Sequence, residues 1–458
     1  MVNLSKLIAH GETLIRGKER QGSLRATLMW NAGGTFALKV ASTALLFLLS
    51  LLLARLLGAT GYGAYINAMA WISLLSVLSI MGLDKLLVRE IAIHNTRSAW
   101  DLMLGLLRWT NLVGLLVSLG FALLTGIIIW MLRGHLELQM RSTLWIALIM
   151  LPLLVLMRLR QAAMRGLQHV VVGQLPEMLI MPIVFVVLVG GIYLIFRDTL
   201  SASAAIEAQV VAAGIAFLIG ARQLKISLPQ FAKEAPPTYQ GWMWMRSVLP
   251  LLFIDSMTII SAQTDIIMVG AMKGAETVGI YAVAKKGAGL ITFALLAVNM
   301  ALAPTIASLY AAGDMEKLQR VVTKSARAIL LGSLPMALGL IVFGHWFLLL
   351  FFGQDFTQGE GALAILSAGQ LINAATGSVG LLLIMTGYER YAAMGIGICA
   401  VLNIVLNATL IPKWGLTGAA VATASSMIVW NVLLAIWVYR KLGIHSTALG
   451  EIGLSRQA

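Results

Sequence analysis

A single cysteine, Cys399, stands inside an apolar run, which excludes an intramolecular disulfide and a cysteine-built metal centre. Charge is scarce as well. Asp, Glu, Lys and Arg make up 11% of the 458 residues, while hydrophobic residues make up 59%, far from soluble-domain usage. No G-x-x-x-x-G-K-[ST] stretch occurs, so no ATPase loop is built in. The six histidines, His10, His94, His135, His169, His345 and His445, are scattered and give no metal-ligand spacing. No nucleophile, base and acid gather in the sequence, so nothing points to an enzyme and no cofactor is expected. Met1 to Thr27 is polar and basic and lacks the short apolar core of a cleaved signal, so no signal peptide is expected.

Apolar runs fill the chain instead. The expected fold class is an all-α polytopic membrane protein with about twelve spans, each about twenty residues long. They lie near 28–54, 63–83, 104–130, 142–164, 171–196, 203–221, 248–272, 278–304, 328–352, 362–386, 392–411 and 416–439. A net charge of +14 would suggest nucleic acid in a soluble protein. Here lysine and arginine gather on alternate connections, so the sign belongs to the topology and no nucleic-acid partner is expected. Lys6, Arg16, Lys18, Lys85, Arg89, Arg222, Lys225, Lys317, Arg320, Arg440 and Lys441 fall on one side; the other holds only Arg55, Arg133, Arg141, Arg197, Lys273 and Lys413. Both termini are therefore expected in the cytoplasm. Residues 1–27 carry Leu4, Leu7, Ile8, Leu14 and Ile15 on one helical face, which fits an interfacial helix and equally a loose basic tail.

The chain is duplicated. Gly58–Ala68 and Gly274–Ala284 both fit G-A-x-x-x-G-x-Y-x-x-A, pairing Gly58 with Gly274, Ala59 with Ala275, Gly63 with Gly279 and Tyr65 with Tyr281. The longest polar connection contains Pro236-Pro237 and divides two six-span lobes. The expected organisation is a segment 1–27, an N-lobe 28–221, a linker 222–247, a C-lobe 248–439 and a tail 440–458. Six spans preserve orientation, so the lobes are expected to be parallel repeats around a central cavity.

An ionisable residue within a span is a functional candidate by default, because it needs a partner or water. Asn31, Thr35 and Lys39 recur every four residues on span one and fit a wet cavity face; a snorkelling lysine paired to a carboxylate fits them too. On span eight, Tyr281, Lys285, Thr292 and Asn299 are expected on one face, with Lys286 about 100° around the helix. One of the two adjacent lysines is expected to be structural. Asp265 lies as far before the turn as Lys285 lies after it, so the two are expected to pair, either to tolerate each other in hydrocarbon or to be parted by an anion or a proton. Asp255 continues that face. Arg158 and Arg165 end span four, where they fit phosphate capture or simple anchoring. Glu177, between Pro176 and Pro182, fits an ion site on a kinked helix or a structural hydrogen bond.

Several stretches resemble the polysaccharide (O-antigen type) flippases of the multidrug/oligosaccharidyl-lipid/polysaccharide exporter superfamily. They are Ala54-Arg55-Leu56-Leu57-Gly58 through Tyr65, Val88-Arg89-Glu90-Ile91-Ala92, Arg165-Gly166-Leu167, Asp265 to Gly270, Gly279-Ile280-Tyr281, Gly313 to Leu318 and Gly415 to Ala420. Ala59 stands where that family often has proline. The resemblance implies a MATE-like fold and transfer of undecaprenyl-diphosphate-linked oligosaccharide units to the periplasmic leaflet of the bacterial inner membrane. It implies membrane lipids and other polysaccharide-assembly proteins as partners. Lys39, Lys285, Arg158 or Arg165 would then meet the diphosphate, and Asp255, Asp265 or Glu177 would couple movement to a proton or sodium gradient. The rivals are a drug or cation antiporter of the same fold, a lipid II flippase, a membrane glycan polymerase or ligase, and an accessory subunit. Lys39 speaks against a cationic ligand, and the short outer connections speak against the polymerase.

Overall fold

In a computed structural model the protein is described over residues 24–134, 137–196, 200–231 and 235–450, without the side chains of 24–32, 36, 138, 196 and 249–255. The basic segment before Leu24 and the tail after Gly450 lie outside the described residues. Every regular element among the described residues is helical. In hydrocarbon a helix satisfies its own backbone, which leaves little else for such an apolar chain to form.

The helices in order are α1 Leu24–Ile80, α2 Leu83–Arg97, α3 Trp100–Met131, α4 Leu138–Gly166, α5 Val170–Leu175, α6 Met181–Phe196, α7 Ala202–Ser227, α8 Gly241–Gly289, α9 Phe293–Ala311, α10 Met315–Val342, α11 Gly344–Phe351, α12 Glu360–Thr376, α13 Val379–Met385 and α14 Glu389–Leu442. A π-helical turn, Pro176–Ile180, joins α5 to α6, and a 3₁₀ turn, Leu290–Thr292, joins α8 to α9. Among the described residues eight helices are long and apolar enough to cross a membrane, and nine if the pair bent by 41° around Gly377 and Ser378 is one span. The protein is thus a multi-pass membrane protein. Its polar helix starts are capped from the sequence: the Ser201 hydroxyl accepts from Ala204 N at 3.2 Å, and the Asp314 carboxylate from Lys317 N at 3.1 Å.

Three of the long helices are each broken by one glycine. Gly58 (φ 65°, ψ −179°) divides α1, Gly274 (φ 84°, ψ 178°) divides α8, and Gly415 (φ 54°) divides α14. These are dihedrals that a side chain resists, and the first two are the paired glycines of the repeat. The expected separate spans on either side of each turn are therefore limbs of one bent helix. At the second glycine that the two copies share, Gly63 and Gly279, the repeats meet. A Cβ on Gly63 would fall 1.7 Å from the Ala275 carbonyl oxygen, and one on Gly279 would fall 2.1 Å from the Ala59 carbonyl oxygen. Position for position this is a reciprocal contact, the mark of a two-fold relation between the copies. Small residues let membrane helices approach this closely.

Around that contact α1 and α8 pack more extensively than any other two helices. Elsewhere α4 packs on α1, α2, α3 and α7, while α8, α10, α12, α13 and α14 pack among themselves. The Gly58 end is further closed by Arg55, whose Nε donates to Phe351 O at 2.8 Å and whose Nη2 donates to Leu350 O. At the far end of α14 the chain folds back. Gln319 holds His445 through both backbone groups, and Arg327 Nε donates to Ala448 O at 3.0 Å. That strap lies against the α12–α13 break, where a Cβ on Gly377 (φ 72°) would sit 2.9 Å from Ser446 O.

Gly63→Ala and Gly279→Ala are each expected to cost at least the ~1–3 kcal/mol of an overpacked core, because the obstacle is backbone. Gly397→Ala, with nothing within 4 Å, is expected to be neutral. Thermal unfolding of the detergent-solubilised variants, followed by size exclusion, checks both.

Candidate functional site

Below the glycine contact the two repeats separate around a cavity of about 280 Å³. One wall is α1, with Ile66, Met69, Ala70 and Ser73; the other is α8, with Ala262, Gln263, Ile266, Ala282, Lys285 and Lys286. In the register of the repeat, Ile66 corresponds to Ala282, Met69 to Lys285 and Ala70 to Lys286. Equivalent positions thus build both walls, one apolar and one cationic. At 1.5 Å per residue the lysines lie roughly 16–18 Å below Gly274, near the middle of a hydrocarbon layer of about 30 Å.

The expected pair forms. Asp265 is 1% exposed, and Lys285 Nζ donates to its Oδ1 at 2.8 Å and to its Oδ2 at 2.7 Å. The third ammonium proton goes to Ala262 O at 2.8 Å. Asp265 does not depend on the lysine alone. Ile266 N donates to Oδ1 at 2.8 Å, while Tyr281 OH at 2.7 Å and Thr423 Oγ1 at 3.2 Å donate to Oδ2. Backbone geometry explains the meeting, since Asp265 and Lys285 lie equally far along the two limbs from the turn at Gly274–Ala275. Asn67, from the other repeat, donates to Ile266 O at 3.4 Å and steadies the next residue.

Lys286 points elsewhere. It is exposed to the cavity, its ammonium lies 5.9 Å from the centre of the Tyr62 ring, and no carboxylate among the described residues pairs with it. The helical offset was expected to take Lys286 away from the direction of Lys285. The structure instead sets both on the cavity edge, with Lys285 turned onto the other limb of its own helix, towards Asp265 and Ala262. Lys285 and Asp265 cancel, so the surplus positive charge of the site is Lys286.

The remaining expected site residues are dispersed. Lys39 is exposed on α1, and neither it nor the half-buried Thr35 lines the cavity. The side chains of Asn31 and Asp255 lie outside the described residues. Thr292 and Asn299 do not continue the stripe begun by Tyr281 and Lys285. The 3₁₀ turn at 290–292 winds three residues per turn and shifts the phase; Thr292 bonds back to Gly289 O at 2.7 Å and Asn299 accepts from the Ser378 hydroxyl. Arg158 and Arg165 are half-buried at the end of α4, and Arg165 Nε has no hydrogen-bond partner among the described residues. Glu177 sits on the π turn. Sequence reasoning missed Arg160, 5% exposed, whose Nη1 donates to Phe217 O at 2.7 Å. Its signal was Gly220, three residues after Phe217: a Cβ there would fall 2.1 Å from the guanidinium carbon.

Removing one member of a buried ion pair typically costs ~3–5 kcal/mol. Lys285→Met is expected to cost less, because Asp265 keeps three other donors. Combining it with Asp265→Asn is expected to be non-additive by about 1 kcal/mol or more. A double-mutant cycle of thermal or denaturant unfolding measures that coupling.

A family model described as polysaccharide biosynthesis protein matches residues 28–310, more than half of the chain, and one described as MatE matches 250–409. Two Haloferax volcanii proteins are similar in sequence. One, named "Probable low-salt glycan biosynthesis flippase Agl15", is 28% identical over 37% of this chain and 36% of its own length; the other, "Probable flippase AglR", is 25% identical over 47% and 45%. The chain thus aligns with less than half the length of either. In fold it is similar to an inward-facing multidrug resistance MATE family transporter (TM-score 0.73, 13% identity, 88% of this chain and 94% of that one). It is also similar to the lipid II flippase MurJ in an inward closed conformation (TM-score 0.68, 14% identity, 88% and 86%). With that architecture and a family match over most of its length, the chain belongs to the polysaccharide biosynthesis protein family.

Proposed function

We propose that the protein is a flippase that carries a polyprenyl-diphosphate-linked oligosaccharide from the cytoplasmic to the outer leaflet of the bacterial inner membrane, for cell-surface polysaccharide assembly. The observation that carries this reading is Lys286, a cavity ammonium that no carboxylate among the described residues pairs with, at mid-depth between the two repeats. A cation at that depth, open to a cavity between apolar helices, calls for an anion. The facing wall of Ile66, Met69 and Ala70 suits an isoprenoid or the apolar side of a sugar ring, so the cavity matches a ligand with one anionic end. The names of the two Haloferax relatives agree with it.

The limbs on either side of Gly58, Gly274 and Gly415 would make twelve passes, in lobes 28–221 and 248–439 joined by the linker 222–247. Both termini lie in the cytoplasm by the distribution of basic residues, which puts the Gly58 end outside. The glycine contact then closes the outer end, and outward release requires the two backbones to part. The work is translocation, with no covalent step. Membrane lipids and other assembly proteins are its partners.

The antiporter reading needs a carboxylate free to meet a cation. Asp265 already takes five donated hydrogen bonds and is sealed from the cavity by Lys285. Lipid II shares the diphosphate, and its headgroup is the alternative cargo.

The test is leaflet translocation of a fluorescent polyprenyl-diphosphate oligosaccharide in proteoliposomes. Lys286→Ala is expected to lower the rate at least tenfold, the worth of about 1.4 kcal/mol, with Lys286→Arg largely active. Lys39→Ala is expected to lose less. A parent that moves no lipid but expels a lipophilic cation replaces this reading with the antiporter.

A further inference from the structure

Apart from the cavity, the α12–α13 break holds a hydrogen-bond exchange of its own. Gly377 (φ 72°, ψ −155°) interrupts the helix, and the two segments bend by 41°. In an unbroken helix the Val379 amide would donate to Ala375 O, four residues back. Here Val379 N donates to Gly377 O at 3.0 Å instead. The carbonyl it leaves is still satisfied, because Ala448 N donates to Ala375 O at 2.9 Å. A backbone acceptor freed inside such an apolar bundle has to find a donor, and a segment distant in sequence supplies it.

That donor belongs to the strap that follows α14. Alternate residues of it, Ile444, Ser446 and Ala448, are buried, and only Ile444 among them has a large apolar side chain. Gln319 on α10 grips both backbone groups of His445, donating to its O at 2.9 Å and accepting from its N at 2.8 Å. Arg327 Nε holds the Ala448 carbonyl at 3.0 Å. The strap passes so near the break that a Cβ on Gly377 would fall 2.9 Å from Ser446 O. A few hydrogen bonds and small side chains hold it, which is the profile of a segment that opens locally.

Two hydroxyls connect the break to its neighbours. Thr376 Oγ1 donates to Asn431 Oδ1 on α14 at 3.0 Å, and Ser378 Oγ donates to Asn299 Oδ1 on α9. Beyond the 3₁₀ turn, α9 continues the limb that bears Lys285 and Lys286.

We propose that residues 444–448 are a detachable strap that holds this span bent. When it is docked, Ala448 N takes the place of the Val379 amide on Ala375 O. When it leaves, Val379 N moves from Gly377 O back to Ala375 O, the two segments join into one helix, and Ser378 turns from Asn299. The groups of the strap itself pass to water. Ala375 O keeps a donor in both states, and glycine at 377 adopts φ of either sign. Neither state therefore orphans that carbonyl or strains that residue, as a two-state element requires. Docking sets the position of α9 below the cavity lysines, whatever the cargo is.

Hydrogen–deuterium exchange of the purified full-length protein in nanodiscs, read by mass spectrometry, tests this. Ala448→Pro deletes the donating N–H, and Gln319→Ala deletes both bonds to His445. Each is expected to speed exchange over 444–450 by about tenfold, the worth of one or two hydrogen bonds of ordinary strength. Each should also slow exchange over 377–381, where the helix closes. Gly377→Ala meets Ser446 O and resists a positive φ, so it acts from the other side and should do both. Leu449→Ala, at an exposed position of the same segment, should change neither stretch. A strap that only packs would leave the break to fray when weakened, so both stretches would then exchange faster. Faster exchange over 444–450 without slowing over 377–381 overturns the proposal, and so does no change in either. Thermal unfolding identifies the folded variants, and the three act at separate points, so one that misfolds leaves the others to decide. No glycolipid enters the measurement, so its outcome is separate from that of the flippase reading.

Discussion

Where two helices cross with no water to displace, attraction depends on how near their backbones can come, and here that distance is set by Gly63 and Gly279. Each glycine lies against a carbonyl of the opposite copy, at Ala275 and Ala59. The crossing fixes α1 and α8 as the central pair, and the positive-φ glycines just before it, Gly58 and Gly274, turn both chains so that their next limbs run back through the membrane. Below the crossing the same limbs diverge, because residues with side chains replace glycine. The cavity is the space this divergence leaves, and its lining follows from the repeat register.

That origin makes the site a matter of asymmetry between copies. The backbone relation is reciprocal, yet Met69 and Ala70 stand in the first copy where Lys285 and Lys286 stand in the second. Two ammonium groups at mid-membrane would repel each other across a medium that screens poorly. Asp265 removes one of them from the account, held by Ile266 N, Tyr281 and Thr423 so that it need not borrow the lysine to stay satisfied. The cavity is left with one surplus positive charge facing an apolar wall.

Much of this was legible in the sequence. Helical class followed from apolar run length, the duplication from the G-A-x-x-x-G copies, and the Asp265–Lys285 pair from equal spacing about the turn. What escaped was local winding. A seven-residue stripe through Lys285, Thr292 and Asn299 assumes a uniform α-helix, and three residues of 3₁₀ geometry suffice to turn the last two away. The break at Gly377 was hidden for a similar reason, since the chain that crowds it there, at Ser446, is distant in sequence. Arg160 was missed because its partner is a backbone carbonyl, which leaves the glycine at 220 as its one trace in the sequence.

The same logic separates the charged groups by kind. Lys285 and Asp265 are saturated with hydrogen bonds, whereas among the described residues Lys286 has no carboxylate partner and Glu177 Oε2 no hydrogen-bond partner. An unpaired polar or charged group at such depth is costly, which makes each a candidate for function. The two groups lie on different elements, Lys286 on the inner wall of α8 and Glu177 on the π turn, yet packing joins them, since α8 packs on α1 and α1 on the π turn. A shift of the π turn therefore has a direct mechanical route through α1 to the helix pair that carries the glycine contact and, below it, the cationic wall.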